Sequence, residues 1–265
     1  MRLFAFATVF FNTCITKVSS FFVAPSSTEV APALTEQHLR AAKLCSDIYS
    51  EDIELSDDFV ESKDTYAQAT VTLDGSEAIV CFRGSDSVSD WRSNFDMCRV
   101  PFLSRKHRNP ELEVHSGFFI GHNSVKAKIY AKLNALVESG KCDSILFTGH
   151  SAGATLAKMC AFDFVNDKNL ELSIISFGSP KIGNAAFAQN FDLKCTRIVN
   201  DNDGIALTPL FSGYRHVGDL IRLRNVAPAQ SIWHALRNFA RVDSVADHDI
   251  DAYIATMEHW LKKDA

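Results

Sequence analysis

Several things this sequence lacks narrow its reading before any motif is considered. After its N-terminal segment no apolar run approaches the roughly 20 residues that a membrane-crossing helix needs, so no transmembrane segment is expected. It has no Cys-x-x-Cys pair and no Cys/His spacing of the zinc-binding kind, so neither a metal nor an organic cofactor is expected. It has no excess of positive charge: 27 Lys and Arg against 32 Asp and Glu leave a formal net charge of −5, which argues against a nucleic-acid partner. The single basic cluster, Arg105-Lys106-His107-Arg108, reads as a solvated loop, with contact to an anionic headgroup as the other reading. Repeats, low-complexity tracts and internal linkers are missing as well. With 265 residues, 46% of them apolar and 22% charged, the remainder describes one globular α/β domain large enough for a layered core.

The N-terminus stands apart. Met1-Arg2 precedes an apolar run from Leu3 to Ile15, broken by Asn12-Thr13 and followed by Lys17. That length suits the core of a signal peptide rather than a spanning helix, and places cleavage near Val18-Ser19-Ser20. The expected organisation is a signal peptide over 1–20, a leader over 21–34 and the folded domain over 35–265. Secretion or delivery to an endomembrane lumen follows from that. The Ser-Ser-Phe-Phe-Val-Ala-Pro run at 19–25 opens an alternative, because it resembles the junction ahead of a transit segment for plastids of secondary endosymbiotic origin. Cysteines stand at 14, 45, 81, 98, 142, 160 and 195; the six beyond the signal are an even number, and an oxidising compartment would permit disulfides. Cys81 and Cys160, however, sit in apolar strand and helix patterns where cysteine serves as a small buried hydrophobe.

Periodicity sets out the elements. Residues 35–50 carry apolar Leu39, Ala42, Leu44 and Ile48 at helical spacing. Residues 65–73 and 77–82 flank Asp74-Gly75 as a hairpin. Residues 117–139 form a long helix closed by Gly140. Short apolar runs then alternate with helices: strand 144–148, helix 152–165, strand 172–177, helix 183–191, strand 195–199. One more strand is expected over Tyr214–Leu223, and an amphipathic helix ends the chain. Such alternation produces a mostly parallel sheet covered by helices on both faces.

One pentapeptide falls where that architecture does chemistry. Gly149-His150-Ser151-Ala152-Gly153 lies between the strand-like Ser144–Phe147 and the helix-forming run that follows, on the turn where a nucleophile elbow belongs. Glycines on both sides remove side chains that a tight strand-to-helix turn would drive into its neighbours. A serine hydroxyl is a poor nucleophile at neutral pH and needs a base held by a carboxylate. Downstream, His248 sits where a loop enters the last helix, with His234 in reserve; His216 falls in an expected strand and His259 deep in a helix. Val199-Asn200-Asp201-Asn202-Asp203 follows a strand at the sheet's carboxyl edge, offering Asp203 or Asp201 as the acid. For the oxyanion, the N–H of Ala152 is one donor, and the sharp Phe82-Arg83-Gly84-Ser85 turn offers Ser85 as a second.

In order along the chain, IVCFRGS, Asp90-Trp91, VHSGFF, GHSAGATLA, SFGSPKIGN, VNDNDGIALTP, YRHVGDLIRL and DHDIDAYI together resemble the class 3 (fungal-type) lipase family of the α/β-hydrolase superfamily, from about Leu39 to Trp260. The resemblance implies a single-domain α/β-hydrolase fold, with Ser151 as nucleophile, Asp203 as acid, His248 as base, and Ser85 and Ala152 as oxyanion donors. It makes His216 a structural strand residue. One departure stands out: Gly204-Ile205-Ala206 replaces the more usual Ile/Val-Val-Pro, which implies an acid loop less rigid than the family norm. The resemblance also implies a lid over the serine from Asp86 to about Asp96, with Val88, Trp91 and Phe95 on its underside and Asp86, Asp90, Arg92 and Asn94 facing out. Trp91 as a plain core anchor is the competing reading. The activity implied is ester hydrolysis on acyl lipids, in the manner of a triacylglycerol lipase, with possible peripheral contact at lipid surfaces. Phospholipase A1 or galactolipase activity, a small-ester or feruloyl-type esterase, and a non-catalytic lipid-binding relative are the alternatives.

Overall fold

A computed structural model describes residues 34–85, 98–104, 106–164, 170–200, 203–209, 213–223 and 246–264. The chain divides into two compact units, Met1–Pro32 and Ala33–Ala265, of which only the second is described. The expected signal peptide over 1–20, the leader over 21–34 except Leu34, the lid candidates Val88, Trp91 and Phe95, and the reserve candidates Asp201 and His234 lie outside the described residues.

In chain order the elements are α1 (Glu36–Asp47), β1 (Phe59–Glu61), β2 (Gln68–Asp74), β3 (Glu77–Phe82), β4 (Arg99–Pro101), β5 (Glu113–His115), α2 (Ser116–Glu138), β6 (Ser144–His150), α3 (Ala152–Asp163), β7 (Glu171–Phe177), α4 (Ala185–Gln189), β8 (Lys194–Asn200), β9 (Asp219–Leu223) and α5 (Ile250–Asp264). Seven strands form one sheet in the order β1-β2-β3-β6-β7-β8-β9. The β1/β2 and β2/β3 pairs are antiparallel, and every pair from β3 to β9 is parallel. β4 and β5 make a separate antiparallel ribbon.

Alternation along the central strands explains why both faces are covered. Ala78, Val80 and Phe82 of β3, with Ile145 and Phe147 of β6 and Ile174 of β7, enter the core shared with α2, α3 and α4. Their intervening neighbours Ile79, Cys81, Leu146, Ile175 and Phe177 enter the opposite core, closed by α1 and α5. A strand buried on both faces must be apolar at most positions, as β6 is from Ile145 to Phe147 before the buried Thr148 and His150 lead into the turn. Among the described residues no cysteine is in a disulfide; all but Cys98 are buried, and Cys45 and Cys81 touch across the α1–β3 contact with their sulfurs 4.0 Å apart.

Several boundaries differ from the sequence expectation. The helix expected to 165 ends at Asp163, where Phe164 turns extended. The helix expected over 183–191 is confined to α4, begun by the Asn184 side chain accepting from the Phe187 N–H at 2.8 Å. The last strand starts at Asp219 rather than Tyr214, because Gly218 adopts φ 86° against Cys195; His216 therefore lies before the strand. The three-residue strands β1, β4 and β5 are too short to leave a period-two signal. The basic cluster is not simply solvated: Lys106 Nζ donates to the Phe162 carbonyl at 3.0 Å, and the His107 ring stacks on Phe162 with centroids 3.8 Å apart.

Candidate active site

Strand β6 runs straight into α3 through Ser151, whose backbone sits at φ 57° and ψ −127°. For a residue with a Cβ this conformation costs about 1–3 kcal/mol. Its surroundings enforce it. The Ser151 N–H donates to the Phe177 carbonyl of β7 at 2.9 Å. A Cβ on Gly149 would come 2.6 Å from the Gly153 carbonyl carbon, and one on Gly153 would run into the Phe82 and Arg83 carbonyls. Both positions therefore require glycine, and the turn between them lifts the Ser151 side chain off the end of the sheet.

Ser151 meets its partners there. Ser151 Oγ lies 2.8 Å from His248 Nε2, and His248 Nδ1 lies 2.8 Å from Asp203 Oδ2. All three residues are buried. The carboxylate can only accept, so Nδ1 carries the imidazole proton and Nε2 turns its lone pair to the serine hydroxyl. Asp203 Oδ1 accepts from the backbone N–H groups of Ile205 (2.9 Å) and Ala206 (3.2 Å), which begin a 3₁₀ turn over Ile205–Leu207. Tyr253 Oη donates to Asp203 Oδ2 at 2.5 Å, and burial beside that carboxylate holds the Tyr253 phenol well above its ordinary value. The acid loop expected to be looser than the family norm is thus held at both carboxylate oxygens. Ala206 contributes a bond that a proline at the same place, lacking an N–H, would not make.

A second chain of hydrogen bonds ties the His248 backbone to the turn at Gly84. His150 Nε2 lies 2.6 Å from the His248 carbonyl and must donate to it. His150 Nδ1, 3.3 Å from Tyr49 Oη, then accepts, and Tyr49 Oη accepts from the Gly84 N–H at 3.1 Å. Burial, followed by the proximity of His248, holds His150 well below the ordinary histidine value and keeps it neutral in this role. Gly84 packs so closely that a Cβ would collide with Tyr49 Oη and the His150 carbonyl.

Beside the serine opens a cleft of about 220 Å³, lined by residues that include Gly84, Ser85, Ala152, Leu156 and Phe118. Ser85 and Ala152 therefore face one space next to Ser151. His216 is not part of the Asp203–His248–Ser151 chain; it meets the backbone of Ala206 in the loop that holds Asp203. Burial first, then Arg197, Lys158 and Lys181, push its imidazole down to about 2, and its Nδ1 has no hydrogen-bond partner. His259 lies on an exposed part of α5. Sequence reasoning passed over Tyr253, Tyr49 and His150. Only His150 carried a signal, its place inside the pentapeptide. Among the described residues no group of three or more His, Cys, Asp or Glu is arranged to hold a metal ion. Chemically, the arrangement can withdraw the serine proton through an imidazole oriented by a buried carboxylate.

Comparison with known proteins points the same way. The family model for lipase (class 3) matches residues 79–213. The chain is 26% identical over 175 residues to the chloroplastic galactolipase DONGLE of Arabidopsis thaliana, covering 56% of this chain and 37% of that protein. It is 26% identical to the chloroplastic/mitochondrial phospholipase A1 EG1 of Oryza sativa subsp. indica, covering 71% of this chain and 49% of that protein. It is 28% identical to the secreted mono- and diacylglycerol lipase A of Penicillium camembertii, covering 65% and 57%. The chain thus spans less than two thirds of these relatives' lengths. In structure, the triacylglyceride lipase of Rhizomucor miehei superposes with a TM-score of 0.63 at 19% identity, covering 82% of this chain and 94% of that one. Lipase II of Rhizopus niveus superposes at 0.64 and 18% identity, covering 83% and 96%, and both establish the α/β-hydrolase fold.

Proposed function

The chain belongs to the class 3 lipase family, and from that premise we propose that it is a serine carboxylester hydrolase acting on acyl lipids. One observation carries the reading: the unbroken chain Asp203–His248–Ser151, buried, ending on the strained elbow. Ser151 Oγ attacks the ester carbonyl while His248 Nε2 takes its proton. The N–H groups of Ser85 and Ala152 hold the resulting oxyanion, each such donor being worth about 2.7–4 kcal/mol of barrier. As the C–O bond to the alcohol breaks, the imidazolium returns the proton to the departing oxygen and leaves an acyl-serine. Water, deprotonated by the same histidine, then attacks the acyl carbon and regenerates the serine. Asp203 keeps the imidazole in its tautomer and balances its charge.

The substrate assigned is an acylglycerol of the triacylglycerol type. Phospholipase A1 or galactolipase activity is the second reading, supported by the names of the plant relatives. A small-ester or feruloyl-type esterase and a non-catalytic lipid binder follow behind. Degradation of lipid after export through the N-terminal signal fits the fungal relatives described as secreted, and a plastid address fits the plant relatives described as chloroplastic. Hydrolysis of p-nitrophenyl, acylglycerol, phospholipid and galactolipid esters by the wild type and Ser151→Ala is the test. Loss of turnover by 10⁴–10⁶-fold (on the order seen when a serine nucleophile is removed), with loss of fluorophosphonate labelling, is expected. Undiminished turnover in the variant would overturn the reading.

A further inference from the structure

The cleft beside Ser151 is small. Its roughly 220 Å³ is below the ~300–1,000 Å³ of ordinary ligand sites, so much of a long substrate must pass over its rim. Three of its polar lining side chains, those of Arg83, Thr65 and His115, are engaged with the protein. Arg83 Nη1 reaches Glu54 Oε1 at 3.1 Å and Gln68 Oε1 at 3.0 Å. Thr65 Oγ1 pairs with Ser124 Oγ at 2.6 Å, and His115 Nδ1 accepts from the Gly117 N–H at 3.1 Å. Beyond Ser85, the surface left to meet an acyl chain is the apolar floor of Ala67, Phe118, Ala152 and Leu156.

At the rim stands Tyr66, with its side chain making no hydrogen bond or ring contact to any described residue. It is 86% exposed and lies at φ 56°. A bulky residue in the left-handed region is an outlier that costs free energy, and an exposed ring recovers none of that cost by burial. Its neighbours fix it there: Thr65 is anchored to Ser124, and buried Ala67 accepts from the Ser62 N–H at 2.9 Å. Folding alone has no use for a tyrosine at this position, since glycine would sit there without strain.

We propose that Tyr66 is a specificity-determining residue, its ring forming the outer wall of the cleft against which the distal part of a long acyl chain packs. The proposal rests on the ester-hydrolase reading above. An acyl group whose carbonyl lies between Ser85 and Ala152 runs along Leu156 and Phe118 and leaves the cleft past Tyr66. Short acyl groups end before it.

The test compares the wild type, Tyr66→Gly and Tyr66→Phe on p-nitrophenyl esters from acetate to palmitate, together with thermal melting. Tyr66→Gly is expected to melt higher than the wild type, to cleave acetate and butyrate equally well, and to lose roughly tenfold in kcat/KM on laurate and palmitate, chiefly through KM. Tyr66→Phe, which keeps the ring, is expected to retain the long-chain preference. An unchanged long-to-short ratio in Tyr66→Gly overturns the proposal while leaving the ester-hydrolase reading intact, and so does an equal loss in Tyr66→Phe. A wild type that cleaves none of the esters overturns both.

Discussion

Among the described residues, two that are not glycine hold a positive φ, Ser151 at 57° and Tyr66 at 56°, and their settings are opposite. Ser151 is buried at the end of β6, between two glycines that tolerate no Cβ, with its N–H tied to β7. Tyr66 projects into solvent from a turn held only through its neighbours. At the elbow, strain is imposed by packing from every side and points the Ser151 hydroxyl at His248. At the rim, the same dihedral displays an aromatic ring. Similar local cost can thus serve chemistry in one place and selection of substrate in the other. The two sites are joined by the cleft that runs from Ala152 to Tyr66.

The largest effects lie on the elbow side. Ser151→Gly removes the hydroxyl and the strain together. Activity is expected to vanish while the melting temperature rises, the gain limited to about 1 kcal/mol or less because glycine also adds entropy to the unfolded chain. A Ser151→Gly protein that melts lower than the wild type would break the parallel with Tyr66→Gly. Next comes Asp203→Asn, expected to cost about 10⁴-fold in kcat, because an amide facing Nδ1 shifts the proton to Nε2 and leaves the imidazole unable to accept from Ser151. A pH–rate profile taken alongside should keep little of the wild-type activity at any pH. Ser85→Ala keeps its backbone N–H but loses the hydroxyl. A fall of roughly a hundredfold in kcat at steady KM would mean that the hydroxyl also serves the oxyanion. No change would leave that role to the backbone alone.

The smallest expected effect concerns a different stored cost on the buried side. Lys158, two turns into α3, is fully buried; its Nζ donates to Ser179 Oγ at 2.8 Å, and burial lowers its ammonium from 10.5 to about 8. In the unfolded chain the ammonium stays charged up to its ordinary value. Folding below pH 8 therefore carries the full penalty, which lifts as pH rises from about 8 to about 10.5. Lys158→Met is expected to stabilise the protein at pH 7 by at most a few kcal/mol, on the order implied by a shift of that size, with the gain shrinking above pH 8. Denaturant unfolding at pH 7 and pH 10 measures this directly, and a gain independent of pH would contradict it.

Much of the architecture was legible because the signals are local. Alternation of strand-like and helical runs from Ser144 to Cys195 gave β6, α3, β7 and β8 within a few residues, and Gly149 and Gly153 marked the elbow through sterics confined to one turn. Where the chain order alone left Asp203 against Asp201 and His248 against His234 open, the structure brings Asp203 and His248 to Ser151. The short strands and the start of β9 were not legible. Three residues carry no period, and Gly218 breaks the apparent run before Asp219.

By itself the sequence determined the α/β alternation, the serine on a strand-to-helix turn, and the order in which an acid and a histidine follow it, since periodicity and glycine sterics act between near neighbours. The tertiary structure alone decided the contacts between residues far apart in the chain. It set Tyr253 against Asp203, and it linked Gly84 through Tyr49 and His150 to the His248 carbonyl. It turned an alanine in place of a proline into a hydrogen bond to the acid, and it gave Tyr66 a left-handed backbone at the mouth of the cleft. Hydrogen bonds and strain of this kind depend on which surfaces the fold brings together, and no local pattern in the chain encodes that.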